Sequence, residues 1–155
     1  MQLDLVNASQ SSTYSNKYPA SKAFDGGLAF IYKEGEKSCS HTLNDLNPWW
    51  MGELAAPHYI TRISVYPRIE GDFQKVYTKV TVSVSVDGQT WTLCRDLGDK
   101  LVKTKGWVDA VCPARTFGRF VNITQHNNHA LVVCEVEIWG YGGKYSTLIN
   151  DLTTT

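Results

Sequence analysis

Three side chains spaced through the middle of the chain, His41, Arg68 and Lys75, have the types needed to grip a hydroxyl-rich molecule. Arginine and lysine only donate hydrogen bonds, whereas a neutral imidazole donates from one nitrogen and accepts at the other. Such a cluster suits a neutral polyol, whose hydroxyl and ring oxygens take charged donors well. Arg68 and Lys75 flank a short loop, and Glu70 and Asp72 lie within it, two residues apart. These carboxylates read as solvated, or as paired with Arg68 or Lys75. A hydrolytic carboxylate pair requires a set separation in space, which sequence does not give. A second group joins Asp25, Ser38 and Glu135 to the turn Asp25-Gly26-Gly27. Carboxylates, a hydroxyl and loop carbonyls make a hard-oxygen cage of the kind calcium takes.

Other chemistries find no support. The chain has no G-x-S-x-G, no H-E-x-x-H and no phosphate-binding loop. Fifteen Lys and Arg balance fifteen Asp and Glu, with no basic block, so nucleic acid and anionic membrane surfaces are poor partners. No apolar run approaches the roughly 20 residues that span a bilayer, so no membrane insertion is expected. The expected protein is a binding module without catalysis.

The elements that must position these groups are strands. Val80, Val82, Val84 and Val86 alternate with Thr81, Ser83 and Ser85, the period of a half-buried antiparallel strand. Asp87-Gly88 then signals a hairpin turn into Thr90 to Cys94. Further strands are expected over Trp49 to Leu54, Tyr59 to Tyr66, Gly106 to Cys112, Arg119 to Gln125 and Leu131 to Trp139. No capped amphipathic helix of useful length is visible. Ala8 to Asn47 is Ser-rich, with little alternation, and reads as a long functional loop system. The expectation is an all-β sandwich or barrel in one domain over 1–143, with 144–155 as a tail or linker. The polar start and the Thr153-Thr154-Thr155 end suggest one module of a longer protein whose leader has been removed.

Cys39, Cys94, Cys112 and Cys134 allow three pairings, among which sequence does not choose. Cys94 and Cys112 end two strand-like runs, which favours a local bridge between them and leaves Cys39 for Cys134. An even cysteine count without C-x-x-C suits an oxidising, extracellular setting. The triplets Asn7-Ala8-Ser9 and Asn122-Ile123-Thr124 are glycosylation acceptors that fit secretion.

A family resemblance extends these readings. Gln10-Ser11-Ser12-Thr13-Tyr14, Ala20 through Gly26, Ser38 through Thr42, Asn47-Pro48-Trp49-Trp50, Gly118-Arg119-Phe120-Val121 and Cys134-Glu135-Val136-Glu137 occur in the order found in the F-type lectins, or fucolectins. That family's sugar signature is a His, twenty-six residues, Arg-x-Asp, four residues, then Arg or Lys. Twenty-six residues separate His41 from Arg68, Glu70 stands at the Asp position, and four residues separate it from Lys75.

The resemblance implies a discoidin-like jelly-roll β-sandwich with long loops at one end. It implies that His41, Arg68 and Lys75 bind α-L-fucose, with Glu70 beside them and the sugar's methyl in a pocket of Tyr14, Phe30, Ile31 and Tyr32. It also implies a structural calcium held by Asp25, Ser38 and Glu135 and by carbonyls of Lys22, Gly27 and Cys39. The implied disulfides are Cys39–Cys134 and Cys94–Cys112. The implied partners are fucosylated glycans or glycoproteins, bound by a secreted lectin working in immunity or adhesion, as a homo-oligomer or as tandem modules. Modules of bivalve sperm proteins that bind egg-coat glycans share the pattern. The alternatives are an adhesion domain for protein or lipid and an accessory module of a glycoside hydrolase. Two departures stand out: Glu70 is one methylene longer than Asp, and Gly71 and Asp72 fall where some members carry adjacent cysteines that pack on the sugar.

Overall fold

The valine alternation builds a central strand. Val80, Val82 and Val84 are fully buried while Thr81 and Ser83 face partly outward. Val86 leaves the expected face and is exposed, because the turn begins at Ser85. The Ser85 hydroxyl accepts the Gly88 N–H, and Asp87 accepts the N–H groups of Gln89 and Thr90. Gly88 takes φ +78°, which glycine adopts without steric cost.

The computed structural model describes residues 1–26, 39–69 and 71–142, the side chains of 71 and 72 excepted. Nine strands lie among the described residues: β1 (Gln2–Leu3), β2 (Leu5–Gln10), β3 (Ser40–His41), β4 (Trp49–Pro67), β5 (Val80–Ser85), β6 (Thr92–Gly98), β7 (Val108–Val111), β8 (Phe117–Gln125) and β9 (Val132–Gly142). All of their pairings are antiparallel. Among the described residues, helix is confined to one turn of α1 (Lys100–Lys103) and to 3-10 segments at Ala20–Phe24 and Gly71–Val76.

The two strands expected over Trp49–Leu54 and Tyr59–Tyr66 are one long element, β4. Its first part pairs with β2 and β8, and its second with β9 and β7. It thus passes from one layer of the sandwich to the other. The register with β8 shifts between Glu53 and His58, where Pro57 has no N–H to give to a ladder. The core lies between the layers, with Trp50, Leu54, Ile60, Ile63, Val80, Val82, Val121, Ile123, Leu131 and Ile138 almost wholly out of water. The Trp50 indole donates to the Ala20 carbonyl at 2.9 Å, fastening the first 3-10 segment to that core.

The cysteines pair Cys39–Cys134 and Cys94–Cys112. The first bridge fixes the start of β3 to β9 and the second links β6 to the end of β7. The expected tail, 144–155, lies outside the described residues.

Candidate functional site

At one end of the sandwich the loops carry His41 and Arg68 together. His41 ends β3, paired with Val132 of β9. Its main chain is clamped on both sides, the N–H donating to the Tyr18 carbonyl and the carbonyl accepting from the Tyr14 N–H. Its Nδ1 lies 2.6 Å from the Thr42 carbonyl, a distance that requires Nδ1–H to donate and leaves Nε2 as the acceptor in the neutral ring. Burial lowers the imidazole pKa below its ordinary value, the Thr42 hydrogen bond opposes that, and the positive Arg68 lowers it further. His41 is therefore neutral at physiological pH, with one ring nitrogen able to accept.

Arg68 follows the end of β4 and is only 6% exposed. Its backbone N–H donates to the Tyr77 hydroxyl at 2.9 Å, and that hydroxyl donates to the Val132 carbonyl at 2.7 Å. Tyr77 is thus a buried strut between the Arg68 loop and β9. The Arg68 guanidinium lies 3.8 Å from the centre of the Phe73 ring, a cation–π contact that orients its donors. Lys75 is exposed on Gly71–Val76, the segment that carries Phe73.

Tyr14 stands on the other side of His41. Its ring is 4.7 Å from the imidazole, with Tyr18 5.7 Å from the same ring, and Tyr14 itself is 59% exposed. The loop that presents it is tied down through Asp45, which accepts from both Ser11 and Ser12. Of the residues named for the methyl pocket, Tyr14 is placed here; Phe30, Ile31, Tyr32 and the loop carboxylate Glu70 lie outside the described residues.

Sequence reasoning missed the apolar hollow on the Arg68 side. Phe73, Val76 and Ala130 line a cavity of about 220 Å³ whose rim carries Asn44 and His129. Asn127 holds this region in shape. Its amide donates to the Val76 carbonyl and the Thr78 hydroxyl, and its side-chain oxygen accepts from Gln125 and the His129 N–H. Only the fold brings these loops together, so no local pattern marks them. Phe73 alone had a signal, as a large apolar residue in a polar loop beside Arg68.

The second group is assembled around Glu135. This carboxylate is 5% exposed, and its Oε1 is buried with no hydrogen-bond partner among the described residues. Burial, and after it the negative Asp25, push its pKa up to about 8. Asp25 follows directly on Ala20–Phe24, and both carboxylates line one cavity with Gln2 and Asp4. A buried orphan oxygen facing a second carboxylate has the donor chemistry of a hard-cation site. The Cys39–Cys134 bridge brings Cys39 beside the residue that precedes Glu135, and Lys22 sits one turn before Asp25. Gly27 and Ser38 lie outside the described residues.

The F5/8 type C domain model matches residues 7–136. The chain belongs to the F5/8 type C domain family. Within reach of that domain, the sequence is 28% identical over 119 residues to Fucolectin-1 of Anguilla japonica, covering 75% of this chain and 65% of that protein. The chain therefore spans just under two thirds of that relative's length. Among solved structures, the F5/8 type C domain described here superposes on the lectin domain of lectinolysin complexed with Lewis B antigen with a TM-score of 0.72. That match has 24% identity and covers 88% of this chain and 93% of that one. It superposes on a Streptococcus pneumoniae fucose binding module with a TM-score of 0.73 at 18% identity, covering 86% and 90%. At these identities the superpositions establish a shared fold.

Proposed function

We propose that this F5/8 type C domain is a lectin that binds terminal α-L-fucose on glycans and performs no catalysis. The observation that carries the reading is the pair His41 and Arg68, one neutral acceptor and one buried, oriented cationic donor, set between two apolar surfaces. A 6-deoxy sugar has one polar edge and one methyl edge, so its site needs donors and acceptors facing an apolar wall. Tyr14 supplies a wall on the His41 side, and Phe73 supplies one beneath Arg68. Lys75, on the same segment as Phe73, adds a third donor, and Glu70 stands where the signature has Asp. The likeness to a fucolectin and to structures titled as fucose binding supports the same ligand.

A structural calcium belongs to this reading. Asp25 and Glu135 would hold it with their carboxylates, Ser38 with its hydroxyl, and Lys22, Gly27 and Cys39 with their carbonyls. The ion would neutralise two facing carboxylates and fix the loop that leads to β3 without touching sugar. The two disulfides fit a secreted protein. No helix among the described residues is long and apolar enough to cross a membrane. Fucosylated glycoproteins are the partners in this reading, and homo-oligomers or tandem modules would raise avidity.

The test is calorimetric titration with L-fucose in calcium buffer, with D-galactose as the control. Saturable heat from fucose alone is the expected result. Heat from neither sugar would turn the reading toward an adhesion domain for protein or lipid.

A further inference from the structure

The outer face of the layer formed by β7, β4 and β9 is unusually rich in rings for a surface turned to solvent. Register places Asp109, Ser64 and Glu137 in one row across the three strands, and Val111, Arg62 and Trp139 in the next. Beyond the first row Trp107 stacks on Tyr66, with centroids 5.6 Å apart and planes at 27°, and remains 52% exposed. The Arg62 guanidinium lies 4.8 Å over the Trp139 ring. Between the two indoles is a groove of about 260 Å³ that shares no residue with the His41 cluster.

The polar groups of this groove are arranged as alternating donors and acceptors. Asp109 accepts the Ser64 hydroxyl at 2.6 Å, and Glu137 accepts the Tyr66 hydroxyl. Each carboxylate uses one oxygen in this way, which leaves a second oxygen to accept. The Trp139 indole N–H and the Arg62 Nε–H are buried without an acceptor among the described residues. Buried donors left without an acceptor weaken the fold, and they mark this wall of the groove as rich in donors and short of acceptors. One guanidinium against two carboxylates leaves a net charge of −1, so an anionic ligand is disfavoured. Flat rings beside paired carboxylates, an arginine and an indole N–H match a pyranose, whose C–H face stacks on an aromatic ring while its hydroxyls bridge acceptors and donors. The volume lies just below the usual range for ligand sites and suits one sugar ring.

We propose that this groove is a second saccharide site, for a neutral hexopyranose unit, on a face of the sandwich separate from the fucose cluster. A glycan reader with two sites of different chemistry on one domain engages branched or dense glycans more tightly than either site alone.

The experiment follows the indole N–H resonances of Trp107 and Trp139 by NMR in the Arg68→Ala protein, so that the fucose cluster does not contribute. Maltose, cellobiose and methyl α-D-mannopyranoside are titrated separately to about 50 mM, a range that captures millimolar affinity. At least one of them should shift both resonances saturably. Trp107→Ala should abolish the Trp139 shift, while the same substitution in the otherwise native chain leaves the L-fucose titration within about twofold. No saturable shift with any of the three sugars would overturn the proposal. So would indole shifts that depend on protein concentration without sugar, which would make the face a contact between copies. Because the indole readout uses none of the L-fucose titration, its failure leaves the fucose reading standing, and the reverse also holds.

Discussion

At the residue scale, Arg68 and His41 would serve the proposed fucose site through opposite properties. Arg68 is held by the Phe73 ring and by a backbone bond to Tyr77, so its guanidinium is in place before ligand arrives. Removing a charged donor from such a site costs about 1.5–3 kcal/mol, roughly ten- to a hundredfold or more in affinity. Arg68→Ala should weaken L-fucose binding by that factor in a calorimetric titration, and an unchanged constant would remove Arg68 from the site. His41 contributes its neutral form. Its pKa is lowered, chiefly by burial, so the ring keeps its neutral form to lower pH than a free imidazole does. Protonation then turns the Nε2 acceptor into a donor. Affinity for fucose should be level from pH 8 to about 6.5 and fall below that. The fold should lose stability in the same acid range, since the folded state resists the proton that the unfolded chain accepts. Affinity that is level to pH 5, or that rises in acid, would show that His41 does not accept a hydrogen bond from the sugar.

At the element scale, the sandwich depends on the corner where β4 changes layers. His58 and Tyr59 pair with both β8 and β9 there. Gly140 is opposite Ile60, and a Cβ on it would lie 1.9 Å from the Tyr59 carbonyl oxygen, which is backbone and cannot swing aside. Gly140→Ala should therefore cost about 3 kcal/mol or more, read as a lower denaturation midpoint, because the strands must part to admit it. An unchanged midpoint would mean that the corner relaxes freely. The same corner shows where sequence was readable. Val80, Val82 and Val84 announced β5 through side-chain period alone, and β8 and β9 were equally plain. The continuity of β4 was hidden by Pro57, which reads as an end and acts as a register shift. His41, Arg68 and Lys75 were proposed from spacing matched to a known pattern, and the fold places His41 near Arg68. The Phe73 and Ala130 hollow was not, because Asn127 assembles it from loops far apart in the chain.

At the scale of the whole molecule, the Cys39–Cys134 bridge is the link between site and scaffold. It closes a separation of 95 residues, against 18 for Cys94–Cys112. By chain entropy the long closure stabilises by about 5 kcal/mol and the short one by about 3. The long bridge also has a local task. Cys39 lies two residues before His41, and Cys134 precedes Glu135, the carboxylate with the orphan oxygen. The calcium proposed at Asp25 and Glu135 would use the same loop, so ion and bridge constrain one segment. Calcium bound to the native state alone should raise the melting temperature, and a chelator should lower it. If bridge and ion share that segment, the paired substitution Cys39→Ala with Cys134→Ala should lower the melting temperature and also shrink the calcium-dependent part of it. The cleaner readout is a thermal double cycle over native and bridge-free protein, each with calcium and with chelator. Coupling between neighbouring features reaches about 0.5–3 kcal/mol, while independent features add. Strict additivity would separate the bridge from the ion. A native chain indifferent to chelator would remove calcium altogether, and the Glu135 oxygen would then need another partner.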